Sequence, residues 1–214
     1  MKSSLVLLLV FAVSVYGAVD DNRYSKYDKY RDHELTAQEQ QEVAVMQLDD
    51  VGQDLLDNVN LNSYFIFNNY LDKLDDTLRS FALFFDDDTD VKHFDKLVNQ
   101  KWSVDYVILS ASKKIEFALD YVKAKLTQDS YDETQKEKFE IIQKDLTEAK
   151  KNVDFLGEQI NVCLEKFASV SEKDIEAKEK ALFELKNHGL AKPFLHLIKH
   201  ARDQNEQIND YFYN

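Results

Sequence analysis

"EKFEIIQKDLTEAKKNVDFLGEQINVCLEKFA", residues 137–168, sets Phe139, Ile142, Leu146, Ala149, Val153, Leu156, Ile160, Cys163 and Phe167 at steps that alternate between three and four. A strand would repeat its apolar residues every second position; an average step of 3.5 is the seam of a helix that packs lengthwise on its neighbours. Lys144, Asp145, Glu148, Lys150 and Lys151 fall off the seam and are expected to form a solvated face. At 1.5 Å per residue the stretch predicts one helix on the order of 45–50 Å long.

The same rhythm recurs on the N-terminal side. Val104, Ile108, Ala111, Ile115, Ala118 and Val122 form one seam, and Tyr64, Phe67, Leu71, Leu74, Leu78, Phe81 and Phe85 form another. Shorter amphipathic stretches cover 36–59 (Ala44, Leu48, Val51, Leu55), 174–187 and 193–213, with a brief one at 91–100. Four glycines and one proline leave few breaks, and no Pro/Ser-rich linker or fixed-period repeat divides the chain. The fold class expected is all-α: a single-domain bundle of six to seven amphipathic helices over residues 36–214.

Helix ends have recognisable punctuation. Ser103 is placed to cap a helix beginning at Val104, and Ser171 with Asp174 supplies a cap and an acidic first turn. Gly189 follows Asn187 and His188 as a helix stop, and Pro193 suits the first turn of the next helix. Gly52 and Gly157 lie inside helical patterns and mark close helix approaches or mild weak points. The acidic run "DDDTD" at 86–90 invites a calcium reading, but an EF-hand loop needs glycine at its sixth position and glutamate at its twelfth. Counted from Asp86 those places hold Val91 and Leu97, and from Asp88 they hold His93 and Asn99. The run is a joint between helices.

The first 17 residues, MKSSLVLLLVFAVSVYG, carry one lysine, an apolar core from Leu5 to Val13 and small residues near Gly17. That is the pattern of a secretory signal peptide, too short in its apolar core to span a bilayer. Residues 18–35, including the tyrosine triplet Tyr24, Tyr27 and Tyr30, read as a flexible arm or an extra amphipathic turn. The formal net charge of −13 disfavours phosphate backbones and anionic lipid surfaces, so no nucleic acid is expected. No other uninterrupted apolar run approaches about 18 residues, so no integral membrane role is expected. A single cysteine, Cys163, allows no internal disulfide; at a seam position it is expected to be a small packed hydrophobe rather than a nucleophile.

Reactive constellations are sparse. His196 and His200 stand four apart on one helix face, a spacing compatible with a metal such as zinc if Asp203 on the same face, or a residue from elsewhere in the fold, supplied a third ligand. Leu197 follows the first histidine where a metalloprotease needs glutamate, so the reading favoured is two histidines beside an apolar stripe. No nucleophile elbow, paired Glu-x-x-His motif or phosphate-cradling glycine loop occurs, and neither a cofactor nor enzymatic activity is expected. The helix over 64–85 instead carries more rings than its seam needs. Phe65, Phe67, Tyr70, Phe81 and Phe84 are candidates to line a ligand cavity or an exposed patch, against the alternative of a broad buried face.

The leader, the acidic disulfide-free helical body and the lack of a catalytic signature together resemble the secreted all-helical salivary proteins of mosquitoes and other blood-feeding flies. The resemblance implies a secreted factor that engages a host or vector protein. The runner-up expectation, drawn from the surplus rings, is a carrier of a small hydrophobic ligand such as a fatty acid.

Overall fold

A computed structural model describes residues 25–61, 64–83, 101–170, 174–186 and 191–213. Each long apolar repeat becomes a helix. A 3-10 turn at Ser25–Tyr30 precedes α1 (Ala37–Asp57), α2 (Tyr64–Leu83), α3 (Lys101–Leu126), α4 (Glu133–Ser169), α5 (Ile175–Lys186) and α6 (Ala191–Tyr213), and no strand occurs among the described residues. The fold is all-α, and α4 is the longest described helix at 37 residues. The short stretch expected at 91–100, the joint at 86–90, Gly189 and the leader lie outside the described residues.

Backbone contacts divide the chain into two compact units, Met1–Gln47 and Leu48–Asn214, with the boundary inside α1. In the first unit Thr36 and Glu39 form a reciprocal capping box: Glu39 Oε2 accepts from the Thr36 amide at 2.9 Å, and Thr36 Oγ1 accepts from the Glu39 amide at 3.3 Å. These donated bonds, with His33 beside them, hold the Glu39 carboxyl down at about 2. The Tyr30 hydroxyl donates to Glu42 at 2.7 Å, which ties the 3-10 turn to the body of α1 within this unit.

The second unit is a four-helix arrangement. α2 packs on α3, α3 on α4, α4 on α6 and α6 on α2, while α5 lies against α4. Cross-helix pairs fix the directions. Lys125 reaches Leu61 and Lys114 reaches Thr77; Ser112 meets Asp154; Asp145 meets His200 and Lys138 meets Gln207; Asp72 meets Arg202. With Lys150–Glu116 and Asn68–Asn205 added, residue numbers rise on one helix as they fall on the other, so the pairs α2–α3, α3–α4, α4–α6 and α6–α2 are antiparallel. The seam positions supply the core: Phe139, Ile142, Leu146, Ala149, Val153, Leu156, Ile160 and Cys163 on α4 are all buried, as are Leu71, Leu74 and Leu78 on α2.

Close approach explains the two helical glycines. A Cβ at Gly157 would stand 2.8 Å from Ile108 Cγ2, and one at Gly52 would overlap the Phe117 ring. Both glycines therefore let α3 lie near another helix, as their placement in the sequence implies. The start of α4 is a second reciprocal box. Asp132 Oδ1 accepts from the Gln135 amide at 2.8 Å and Gln135 Oε1 accepts from the Asp132 amide at 3.0 Å.

Other ends differ from expectation. Ser103 lies inside α3, which already runs from Lys101, so it is no cap. Nothing in Lys101–Trp102–Ser103 breaks a helix, and Trp102 and Tyr106, four apart, bring their ring centroids to 5.1 Å within the first turns. Asp174 itself caps α5, its carboxylate accepting from the Ala177 amide at 3.1 Å, and Ser171 lies outside the described residues. Pro193 falls in the first turn of α6 as expected.

Candidate functional site

The ring-rich helix α2 sends its aromatics in different directions. Phe67 is fully buried, with its ring stacked on Tyr121 of α3 at a centroid distance of 4.4 Å, and Tyr70 is buried in the same core. Phe65 is 68% exposed, its ring edge-on to Tyr64 at 5.0 Å. Two residues along a helix is a rotation of about 200°, which sets Phe65 away from Phe67. The side chain of Phe81 and the whole of Phe84 lie outside the described residues. Of the five rings singled out, the structure thus brings Phe67 and Tyr70 into one core and leaves Phe65 on the surface. The buried Tyr70 hydroxyl has no hydrogen-bond partner among the described residues, and burial raises its pKa above the ordinary tyrosine value.

His196 and His200 are both exposed on α6. His200 is held from behind: its Nδ1 lies 2.6 Å from Asp145 Oδ2 on α4, leaving Nε2 near the Gln204 amide at 3.4 Å. Asp145 corrects the expected solvated face of α4, because it is buried beneath the α4–α6 contact. A carboxylate there is tolerable because His200 supplies a hydrogen-bonding partner across the helix pair. No group of three His, Cys, Asp or Glu side chains converges as a metal site among the described residues, Asp203 included. Cys163 is buried, with Sγ 3.4 Å from the Ala181 carbonyl of α5.

The most unusual chemistry lies at the end of the bundle where α3 finishes and α2 and α4 begin. Lys125 is 1% exposed. Its Nζ donates to the Leu61 carbonyl at 2.9 Å and sits 5.4 Å from the ring centroids of both Tyr121 and Tyr131. Tyr131 meets Phe139 edge to face at 5.1 Å, which extends the aromatic wall around the ammonium. Burial pushes the Lys125 amine down to about 8 and the Tyr131 phenol up to about 12, and raises Tyr121 too. Gln128, on the next turn of chain, donates to the Val59 carbonyl and to Asn60 Oδ1, both at 3.2 Å.

Two more buried polar side chains share this end. Gln135 belongs to the α4 cap, and Asn205 of α6 donates to Asn68 Oδ1 at 3.2 Å and to the Tyr64 carbonyl at 3.4 Å. Farther along α3, Lys114 donates to Thr77 Oγ1 at 2.6 Å; burial, and then the charge of Lys73, lower its amine to about 8. These residues escaped a reading of the sequence by residue type, yet a positional signal existed. Three residues past Val122 the α3 seam lands on Lys125, four residues before Phe139 the α4 seam lands on Gln135, and the α6 series Phe194, Ile198, Ala201 lands next on Asn205.

No helix among the described residues is long and apolar enough to cross a membrane. Comparison of the chain with protein-family models, with curated proteins and with solved structures finds no match.

Proposed function

We propose that the chain is a secreted, non-enzymatic protein of the salivary type that acts by engaging another protein. The observation that carries this reading is a row of apolar side chains left exposed on α4. Ile141, Phe155 and Val162 stand at multiples of seven, so they share one outward face, and Ile175 and Phe183 of the adjacent α5 are also exposed. Large exposed apolar groups on an otherwise acidic surface support burial against a partner. The leader supports export, and the helical body offers extended surface for recognition.

The test is quantitative capture of host-plasma and secreting-tissue proteins by immobilised full-length chain, compared with the double variant Phe155→Glu/Val162→Glu. The expected result is one or more proteins retained by the native chain and lost at least tenfold by the variant, at equal helix content by circular dichroism. Equal retention by both, or retention no greater than by an unrelated acidic helical protein, overturns it.

The Tyr70 hydroxyl, buried with no partner among the described residues, supports a second reading: a carrier whose hydrophobic ligand presents a polar atom inside the bundle. Native mass spectrometry of the secreted protein decides it. A bound lipid supports the carrier, whereas a bare polypeptide mass with no uptake of a fluorescent fatty acid removes it.

A further inference from the structure

We propose that Lys125 is a pH-sensitive latch that sets how readily the turn at 58–61, which follows α1, opens from the tail of α3. In the closed arrangement three N–H donors share one carbonyl, that of Leu61, and two tyrosine faces. No carboxylate pairs with the ammonium among the described residues. Opening the turn would return the ammonium to water, where all three donors are satisfied and the charge is solvated. A proton on Lys125 therefore favours the open form, and its loss favours the closed one.

The titration has a definite direction. The buried amine is held at about 8, below the usual 10.5, so between those values opening takes up a proton and rising pH closes the latch. The titratable groups that face the amine are Tyr121, on its own helix, and Tyr131, from the turn into α4. Both are raised above the ordinary phenol value and stay neutral through this window, so neither opposes the effect. Gln128 anchors the same turn through amide bonds that do not titrate, which confines the pH response to Lys125. The turn also carries its own reporters: the amides of Val59 and Leu61 donate to Leu56 and Asn58 carbonyls at 3.1 and 3.0 Å, and they exchange slowly only while it is closed.

The experiment is hydrogen exchange on the full chain, corrected for intrinsic rates, at pH 7 and pH 9. Protection at Val59 and Leu61 is expected to rise about tenfold over that interval, beyond any change at the core amide of Leu146. Lys125→Arg, which keeps its charge, and Lys125→Met, which has none, should both abolish the rise. Should either variant fail to fold, carbon-13 labelling of lysine side chains in the native chain supplies the readout, with one resonance titrating near 8 in step with protection of the turn. Protection independent of pH in the native chain overturns the proposal, as does an equal rise in Lys125→Arg. So does a Lys125 resonance that titrates with surface lysines near 10.5.

Discussion

The two ends of the four-helix unit are built on different terms. At the end where α2 and α4 finish and α3 and α6 begin, the described seam positions are apolar: Leu78, Val104, Ile160 and Phe194, with the Cys163 thiol among them, while the buried Asp75, Ser110 and Lys178 lie off these seams. At the opposite end the same seams run into Lys125, Gln135 and Asn205, with Tyr121 and Tyr131 around Lys125. Dry packing there would need no partners, whereas each polar group must find one. At the first end the seams are held by apolar burial, and at the second by burial together with specified hydrogen bonds. Buried polar groups at seam positions discriminate among registers that apolar residues tolerate, as a buried asparagine does in coiled coils.

The largest expected effect tests the apolar end. Phe194→Ala removes a fully buried ring and should cost about 3–5 kcal/mol in urea denaturation, through lost burial and the cavity left behind. A cost below about 1 kcal/mol would show that this end is not packed as described.

The second prediction tests the buried lysines by pH. Lys125 and Lys114 are each held near 8, against a usual 10.5, so the unfolded chain binds more protons between those values and stability should rise with pH across that window. For Lys125 alone the ceiling is about 3 kcal/mol. Above pH 10 the sign reverses, because Tyr70, Tyr121 and Tyr131 have raised values in the folded protein and ionise more readily when unfolded. Urea midpoints from pH 7 to 11 should pass through a maximum near 10, and a monotonic fall from pH 7 would contradict the buried lysines.

The smallest effect sharpens the claim about register. Asn205→Leu removes the bonds to Asn68 and the Tyr64 carbonyl but adds apolar burial, so the net change should stay within about 1 kcal/mol. The expected signature is instead a broadened set of amide resonances around Asn68 and Tyr64, reporting helices that no longer settle in one register. A large stability loss with sharp resonances would mean that Asn205 acts as an ordinary structural contact.

The contrast also marks what a sequence reading reaches. The α4 seam was legible because every position from Phe139 to Cys163 is apolar and uninterrupted, and all of them are buried. The Thr36–Glu39 box is equally visible as a spacing, although the expected cap at Ser103 was misplaced because three helix-compatible residues precede Val104. Lys125 was hidden by its type, since lysine on a helix ordinarily marks solvent. Only continuing the seam past Val122 puts it inside, and only folding supplies Leu61, Tyr121 and Tyr131 around it. Asp145 shows the same difficulty: its neighbours Lys144 and Glu148 are exposed, and its partner His200 is 55 residues away. Pairings between distant helices leave no local mark in the chain.

The placement of Cys163 beneath the Ala181 carbonyl makes the chain its own stopwatch. A reagent that alkylates thiols finds a single target in the whole polypeptide, and that target is buried in the core with its sulfur against the Ala181 carbonyl of α5. The rate of modification therefore counts the openings that uncover this part of the core, with no engineered probe. Joining two chains through this sulfur would be paced by the same openings, so any covalent pair should accumulate no faster than they occur.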